Sequence, residues 1–336
     1  MMKVRERKLN KILKTFGKHW YFKCGIFLMI LLFPILVSGI SSANYLVLLG
    51  CFVLVYVIAA SGLDILFGYC GQISLGHAGF FAIGAYGSAI LNKTFGIPPL
   101  ITAIIAALVA VIAAAIIAFP TAKLKFHFLS LATIAFGEIM YSFISASPGD
   151  ITGNFVGYFP NKMSIFGVQL NTYTKFFYFA FVLVVIALLI KQNLVKSKTG
   201  RAFVAIREST VAAGGMGINV RKYKMIAFCT SAFFVAFAGA LYAHLMGYVN
   251  PSTFMFDQSV MFLTMLLFGG SGTLWGPVVG VFSVQIINEL LRSFEKYQTM
   301  FYGVFLLVVI LFMPSGLINL KLKRRKKSKE EKDAKD

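Results

Sequence analysis

Residues 100–119 read LITAIIAALVAVIAAAIIAF, twenty residues without a charge and with Thr102 as the one polar side chain. About 20 such residues are what a helix needs to cross the hydrocarbon core of a bilayer. The stretch is rich in alanine and reads as a membrane-spanning helix. Outward from it the pattern repeats. Apolar runs at about 24–42, 44–62, 73–91, 127–146, 175–190, 225–246, 258–274, 276–292 and 299–318 bring the expected number to about ten transmembrane helices. The fold class read from the sequence is therefore all-α, a polytopic membrane protein.

Charge sets the orientation. Of 32 Lys and Arg residues, 27 fall in four stretches: 1–23, the turn holding Lys123 and Lys125, 191–224, and 321–336. The other five are Lys93, Lys162, Lys175, Arg292 and Lys296. Cytoplasmic loops hold Lys and Arg preferentially, so the four basic stretches are expected inside, with both termini cytoplasmic. Hydrophobic residues make up 58% of the chain and charged residues 13%, against about 25% charged in a soluble domain. The net charge of +20 would suit nucleic acid only if it formed a basic face on a folded domain. Here the basic residues sit between membrane spans, so no nucleic-acid partner is expected and membrane lipid is.

The four cysteines, Cys24, Cys51, Cys70 and Cys229, lie in or beside apolar runs and form no CxxC pair. They read as packing residues rather than as a disulfide or metal set. No spacing of Cys, His and acids suggests a metal site. The first apolar run reads as a retained span rather than a cleaved leader. The longest outer loop is expected at 147–174.

Three features carry chemistry. The stretch 68–81, GYCGQISLGHAGFF, places four glycines and three polar side chains at membrane depth. Unwound backbone there offers N–H and C=O groups to a polar solute, as transporter sites do. Gly71, Gln72, Ser74, Gly76, His77 and Gly79 are thus candidates for a translocation pathway. Close helix packing through small residues is the alternative reading, since Ala78/Ala82 and Ala85/Ala89 recur four apart. The inner segment 191–224 is longer than a turn requires, with a cap at Ser209 and a break at Gly214-Gly215. It reads as an ordered docking element, or else as a solvated loop on the bilayer surface. Finally, Asp64, Glu138 and Glu289 are intramembrane acids, which are costly and often functional. Asp64 and Glu138 are expected near the inner ends of their spans. The glycine-rich stretches 62–76 and 269–276 each read as a broken or re-entrant helix, tolerable only where protein or water covers the exposed backbone. No P-loop and no nucleophile elbow occurs, so any ATP must be bound by another chain.

Four blocks in order resemble the LivM-type permease subunits of branched-chain amino acid ABC importers. They are GYCGQISLGHAGFFAIGAY (68–86), TAKLKFHFLSLATIAFGEIM (121–140), GRAFVAIRESTVAAGGMGINVRKYKMIAFCTSAFFVAFAGALYA (200–243) and LLFGGSGTLWGPVVG (266–280). The resemblance implies a multi-pass permease subunit in the bacterial cytoplasmic membrane, itself not an enzyme. Its partners would be a second homologous permease, two cytoplasmic ATP-binding subunits and an extracytoplasmic substrate-binding protein. The pattern of charge and apolar runs divides the chain into a basic arm at 1–23, a transmembrane region at 24–320, which the resemblance makes the permease domain, and a charged tail at 321–336. The resemblance also implies that 196–220 couples to the ATPases, with Arg201, Arg207, Glu208, Ala212, Ala213 and Gly217 as candidates. In the wider family that loop carries Glu-Ala-Ala…Gly; Ala212, Ala213 and Gly217 match, and Val211 stands at the Glu position. Two further departures are Phe126-His127-Phe128 and Thr152-Gly153-Asn154-Phe155-Val156-Gly157, the latter where a binding protein would dock. Related permeases carry urea or short amides, which stay open as cargo. From the residues alone, an ion-coupled secondary transporter using Asp64 and Glu138 stays open too, and a membrane-bound enzyme using His77 or His244 lacks a paired catalytic group.

Overall fold

The computed structural model describes residues 33–35, 43–121, 126–147, 149, 151–165, 168–170, 172–292, 300, 303–304 and 307. The basic arm, the charged tail, both termini and most of the expected spans at 24–42 and 299–318 lie outside the described residues.

The chain order is α1 (Ala43–Asp64), a π-turn (Ile65–Tyr69), α2 (His77–Phe95), α3 (Pro99–Thr121), α4 (Phe126–Ala146), β1 (Ser164–Ile165), β2 (Val168–Gln169), α5 (Tyr173–Lys196), α6 (Lys198–Glu208), α7 (Thr210–Gly215), α8 (Val220–Met246), α9 (Phe256–Gly269) and α10 (Gly276–Leu291). The protein is an all-α polytopic membrane protein, with β1 and β2 only a short antiparallel hairpin between α4 and α5. Among the described residues five helical stretches are long and apolar enough to cross a membrane: Ala43–Tyr69, Pro99–Thr121, Phe128–Ala146, Tyr173–Lys196 and Val220–Met246. The expected spans at 73–91, 258–274 and 276–292 correspond to α2, α9 and α10. Glycine-rich breaks delay the start of α2 to His77 and end α9 at Gly269.

Helix α3 shows how the sequence sorts its faces in lipid. Ala103, Ala106, Ala107, Ala110, Ala114 and Ala118 are buried, whereas Ile104, Leu108, Ile112, Ile116 and Phe119 are exposed. Lipid tails are as apolar as leucine, so helix association rests on close packing, and small residues belong inside. The central helix α8 packs against α1, α2 and α3. Its crossing with α2 is close. A Cβ on Gly84 would lie 1.8 Å from the Ala236 carbonyl oxygen, and one on Gly239 would lie 2.0 Å from that of Phe81. Around this crossing Tyr56, Phe81, Tyr242 and Phe262 pack ring to ring, with Phe81 and Phe262 centroids 5.3 Å apart at a T-shaped angle. Such pairs add to stability beyond the area that they bury.

The segment 191–224 is ordered. Ser197 Oγ accepts from the Thr199 and Gly200 amides and starts α6. Ser209 Oγ accepts from Ala212 N at 3.2 Å and starts α7, as its sequence position predicts. The short α7 ends at Gly215, and Gly217 takes a left-handed φ of 81° before Asn219 caps α8. One boundary differs from expectation. The helix expected to end near 190 continues to Lys196, so Lys191 belongs to a transmembrane helix and not to the polar loop.

Candidate functional site

The first glycine-rich stretch is a broken helix. After the π-turn the Cys70, Gly71 and Gln72 amides bond back to the Ile65, Phe67 and Leu66 carbonyls at 3.1–3.2 Å, and the chain then runs outside any helix until α2 begins at His77. Unpaired backbone at membrane depth is costly, and side chains of three helices cover it. From α4, Ser130 Oγ donates to the Ile73 carbonyl at 3.3 Å, and Thr133 Oγ1 accepts from Leu75 N at 3.2 Å. From α9, Ser259 Oγ accepts from Ala78 N at 2.8 Å and so satisfies a free amide at the start of α2. From α8, Ser231 Oγ lies 2.8 Å from His77 Nε2.

This geometry divides the six pathway candidates. Gln72 and Ser74 are buried polar residues within the break, and His77 is buried at the start of α2. Ser74 Oγ has no hydrogen-bond partner among the described residues. Gly76 and Gly79 are contact points: a Cβ would meet the Thr133 carbonyl oxygen at 1.9 Å and the Phe136 ring at 2.9 Å, respectively. Gly71 lies against the side chain of Arg207. Packing and polar lining thus coexist in one segment.

The second glycine-rich stretch is also a break. Residues 270–275 separate α9 from α10, and Thr273 Oγ1 donates to the Gly270 carbonyl and accepts from Gly276 N. The two breaks meet at the end of the bundle that carries α6. Asp64, the last residue of α1, forms a 2.7 Å ion pair with Lys191, and both side chains are fully buried. Asp64 Oδ1 accepts from Gly272 N at 2.7 Å, and Lys191 Nζ donates to the Thr273 carbonyl at 3.2 Å. The ammonium stands 5.8 Å from the Tyr69 ring centroid. Arg207, in the last turn of α6, reaches in and donates to the Gly68 carbonyl.

Lys191 went unrecognised among the candidate site residues because it counts with the basic loop. A signal was present: Phe177, Ala180, Val184, Ala187 and Lys191 recur three or four apart and all lie on the buried face of α5. The other coupling candidates divide by exposure. Ala213 is buried, whereas Arg201, Glu208, Ala212 and Gly217 are exposed.

Glu138 is apart from this cluster. It is exposed on α4, on a stripe with Leu131, Ala135 and Ser142. It stands in the thirteenth position of the 21-residue helix, so the expectation that it lies near the inner end is corrected: it is closer to the middle of the span. Glu289 sits in the last turn of α10, where Tyr45 donates to it at 2.7 Å. His244 links four segments at the other end of the bundle. Its Nε2 lies 2.8 Å from Ser88 Oγ and its Nδ1 2.8 Å from the Asn161 carbonyl oxygen; Ser88 Oγ lies 2.8 Å from Thr102 Oγ1. Those contacts explain a buried histidine without chemistry. A cleft of ≈ 450 Å³ opens beside it, lined by Asn92, Pro98, Pro99, Asn161, Lys162 and Ser164. Among the described residues no three His, Cys, Asp or Glu side chains converge as a metal site would need.

The family described as the permease component of the branched-chain amino acid transport system matches residues 45–314. The high-affinity branched-chain amino acid transport permease LivM of Escherichia coli K12 is 31% identical over 290 residues, covering 79% of this chain and 68% of the relative. A probable branched-chain amino acid transport permease LivM of Methanocaldococcus jannaschii is 26% identical, covering 79% and 83%. An autoinducer 2 import permease, LsrC of Klebsiella pneumoniae, is 31% identical over 118 residues, covering 33% and 34%. No solved structure matches the chain.

Proposed function

The chain belongs to the family of branched-chain amino acid transport permease components, and from that membership we propose that it moves branched-chain amino acids inward through the cytoplasmic membrane. The cargo follows the names of its relatives. In this reading the chain is the permease subunit of an ABC importer and makes and breaks no covalent bond. ATP is bound by two separate cytoplasmic subunits. A second permease completes the passage, and an extracytoplasmic binding protein delivers the amino acid and sets most of the specificity. About ten spans, cytoplasmic termini, a basic arm at 1–23 and a charged tail at 321–336 are part of the same proposal, supported by the apolar runs and the clustering of Lys and Arg.

One observation carries the reading: the ordered segment 196–220 is joined through Arg207 to the broken helix that bears Gln72, Ser74 and His77. ATPase closure pulls on α6 and α7, and the exposure of the polar break alternates. The work done is differential stabilisation of outward- and inward-open states. Glu138 fits the same scheme. A carboxyl group open to lipid at mid-span is costly, and we place the outer face of α4 against a watered passage shared with the second permease.

Purification from native membranes tests this. Two P-loop ATPases and a second permease are expected to co-purify; a homo-oligomer with no ATPase would move an ion-coupled transporter to first place. Uptake into proteoliposomes should require ATP at a clamped ion gradient. Ser74→Leu is expected to abolish uptake while the subunits still co-purify, because a bulky apolar side chain replaces a hydroxyl that a polar solute needs as partner. Uptake at the wild-type rate would remove the segment from the pathway. A second cargo reading, urea or a short amide, is decided by the ligand that the accompanying binding protein holds.

A further inference from the structure

Both breaks leave backbone groups without helical partners. At the α6 end of the bundle, charged side chains take up three of them. Asp64 accepts from Gly272 N, Lys191 donates to the Thr273 carbonyl and Arg207 donates to the Gly68 carbonyl. The first break thus holds the second through a fully buried ion pair, and α6 holds the first through its last turn. Glycine makes the approach feasible. A Cβ on Gly68 would lie 1.9 Å from Asp64 Oδ1, one on Gly272 would lie 2.9 Å from the Arg207 guanidinium, and one on Gly71 would lie 3.1 Å from Arg207 Cγ.

Stability alone does not account for this arrangement. A buried ion pair is often no more stabilising than well-packed apolar residues of the same volume. What the pair adds is correlation. Separating Asp64 from Lys191 would strand two charges in the protein interior, so the two breaks cannot shift independently at low cost. Coupling between distant sites needs such an element, one whose position both sites bias.

We propose that Asp64, Lys191 and Arg207 are positioning residues for transport, a charged clasp through which displacement of α6 moves both helix breaks together. The clasp rests on the reading of 196–220 as the ATPase-coupled segment. None of the three needs to touch the cargo.

The test uses the whole importer, reconstituted with its ATPase subunits and binding protein. The double variant Asp64→Asn/Lys191→Met removes both charges, keeps an amide oxygen for Gly272 N and fills the lysine's space. Its complex is expected to assemble, while substrate moved per ATP hydrolysed falls about tenfold, within the range that coupling mutations span. A wild-type ratio in this variant would overturn the clasp. Should the double variant fail to assemble, Arg207→Gln decides, since Arg207 is an exposed residue of α6. The same fall in the ratio is expected, with partial rescue by Arg207→Lys; an unchanged ratio overturns the proposal. Failure of the underlying reading looks different: wild-type uptake would then proceed without ATP, before any variant is made.

Discussion

Lys191→Met alone is expected to strip the membrane of most folded protein. The substitution leaves the Asp64 carboxylate fully buried with Gly272 N as its remaining close donor. Breaking a buried pair by removing one partner costs about 3–5 kcal/mol, because the other charge is left uncompensated. That is a large share of the 5–15 kcal/mol by which folded domains are typically stable. Yield of monodisperse protein in detergent and the midpoint of thermal unfolding report it. Adding Asp64→Asn should recover most of the loss, since the stranded charge is then gone. A single variant with wild-type yield and Tm would mean that the interior there holds an unpaired acid without penalty, and the ion pair would lose its significance.

The second large effect is expected at the crossing of α2 and α8. Gly84→Leu and Gly239→Leu each force a side chain into a carbonyl oxygen of the facing helix, 1.8 Å and 2.0 Å from the new Cβ. Overpacking a core typically costs 1–3 kcal/mol. Here the obstacle is backbone, which cannot rotate aside, so each substitution is expected to cost about 3 kcal/mol or more. Gly214→Leu is the control, because its Cβ meets nothing within 4 Å. Its effect on stability is expected to stay within about 0.5 kcal/mol. Equal destabilisation by all three would show that the close approach does not govern the loss, since leucine is the better helix former and propensity works in the opposite direction.

Much of the fold was legible because lipid imposes a single demand: runs of apolar residues of bilayer length. Residues 100–119 and 225–246 meet it and are helical as read. Less legible was where helices stop. Charge alone suggested that a span ends before Lys191, yet α5 continues past it, since the lysine shares a face with Ala180, Val184 and Ala187 and meets an acid from α1. Both glycine-rich stretches were readable as breaks. That they touch each other was not, since Gly272 and Asp64 are 208 residues apart in sequence. The candidate site was legible in the same uneven way. Ser209 announced its cap through local chemistry, whereas the polar partners of the first break, Ser130, Thr133, Ser231 and Ser259, are single hydroxyls on apolar helices and carry no motif. Arg207 was singled out by resemblance, but its contact with Gly68 follows only from the packing of α6.

The sorting of faces on α3 bears on where a neighbouring subunit can sit. Its outward surface, Ile104, Leu108, Ile112 and Ile116, is a ridge of branched and bulky chains without a groove of small residues. Acyl tails mould themselves to such a ridge; another helix backbone cannot come near it. Helix α4 has a mixed relief, with Ala135 and Ser142 set among Leu131, Ile139 and Phe143 on its open side. A cysteine cross-linking search for the seam with the second permease proposed above therefore begins at 135 and 142.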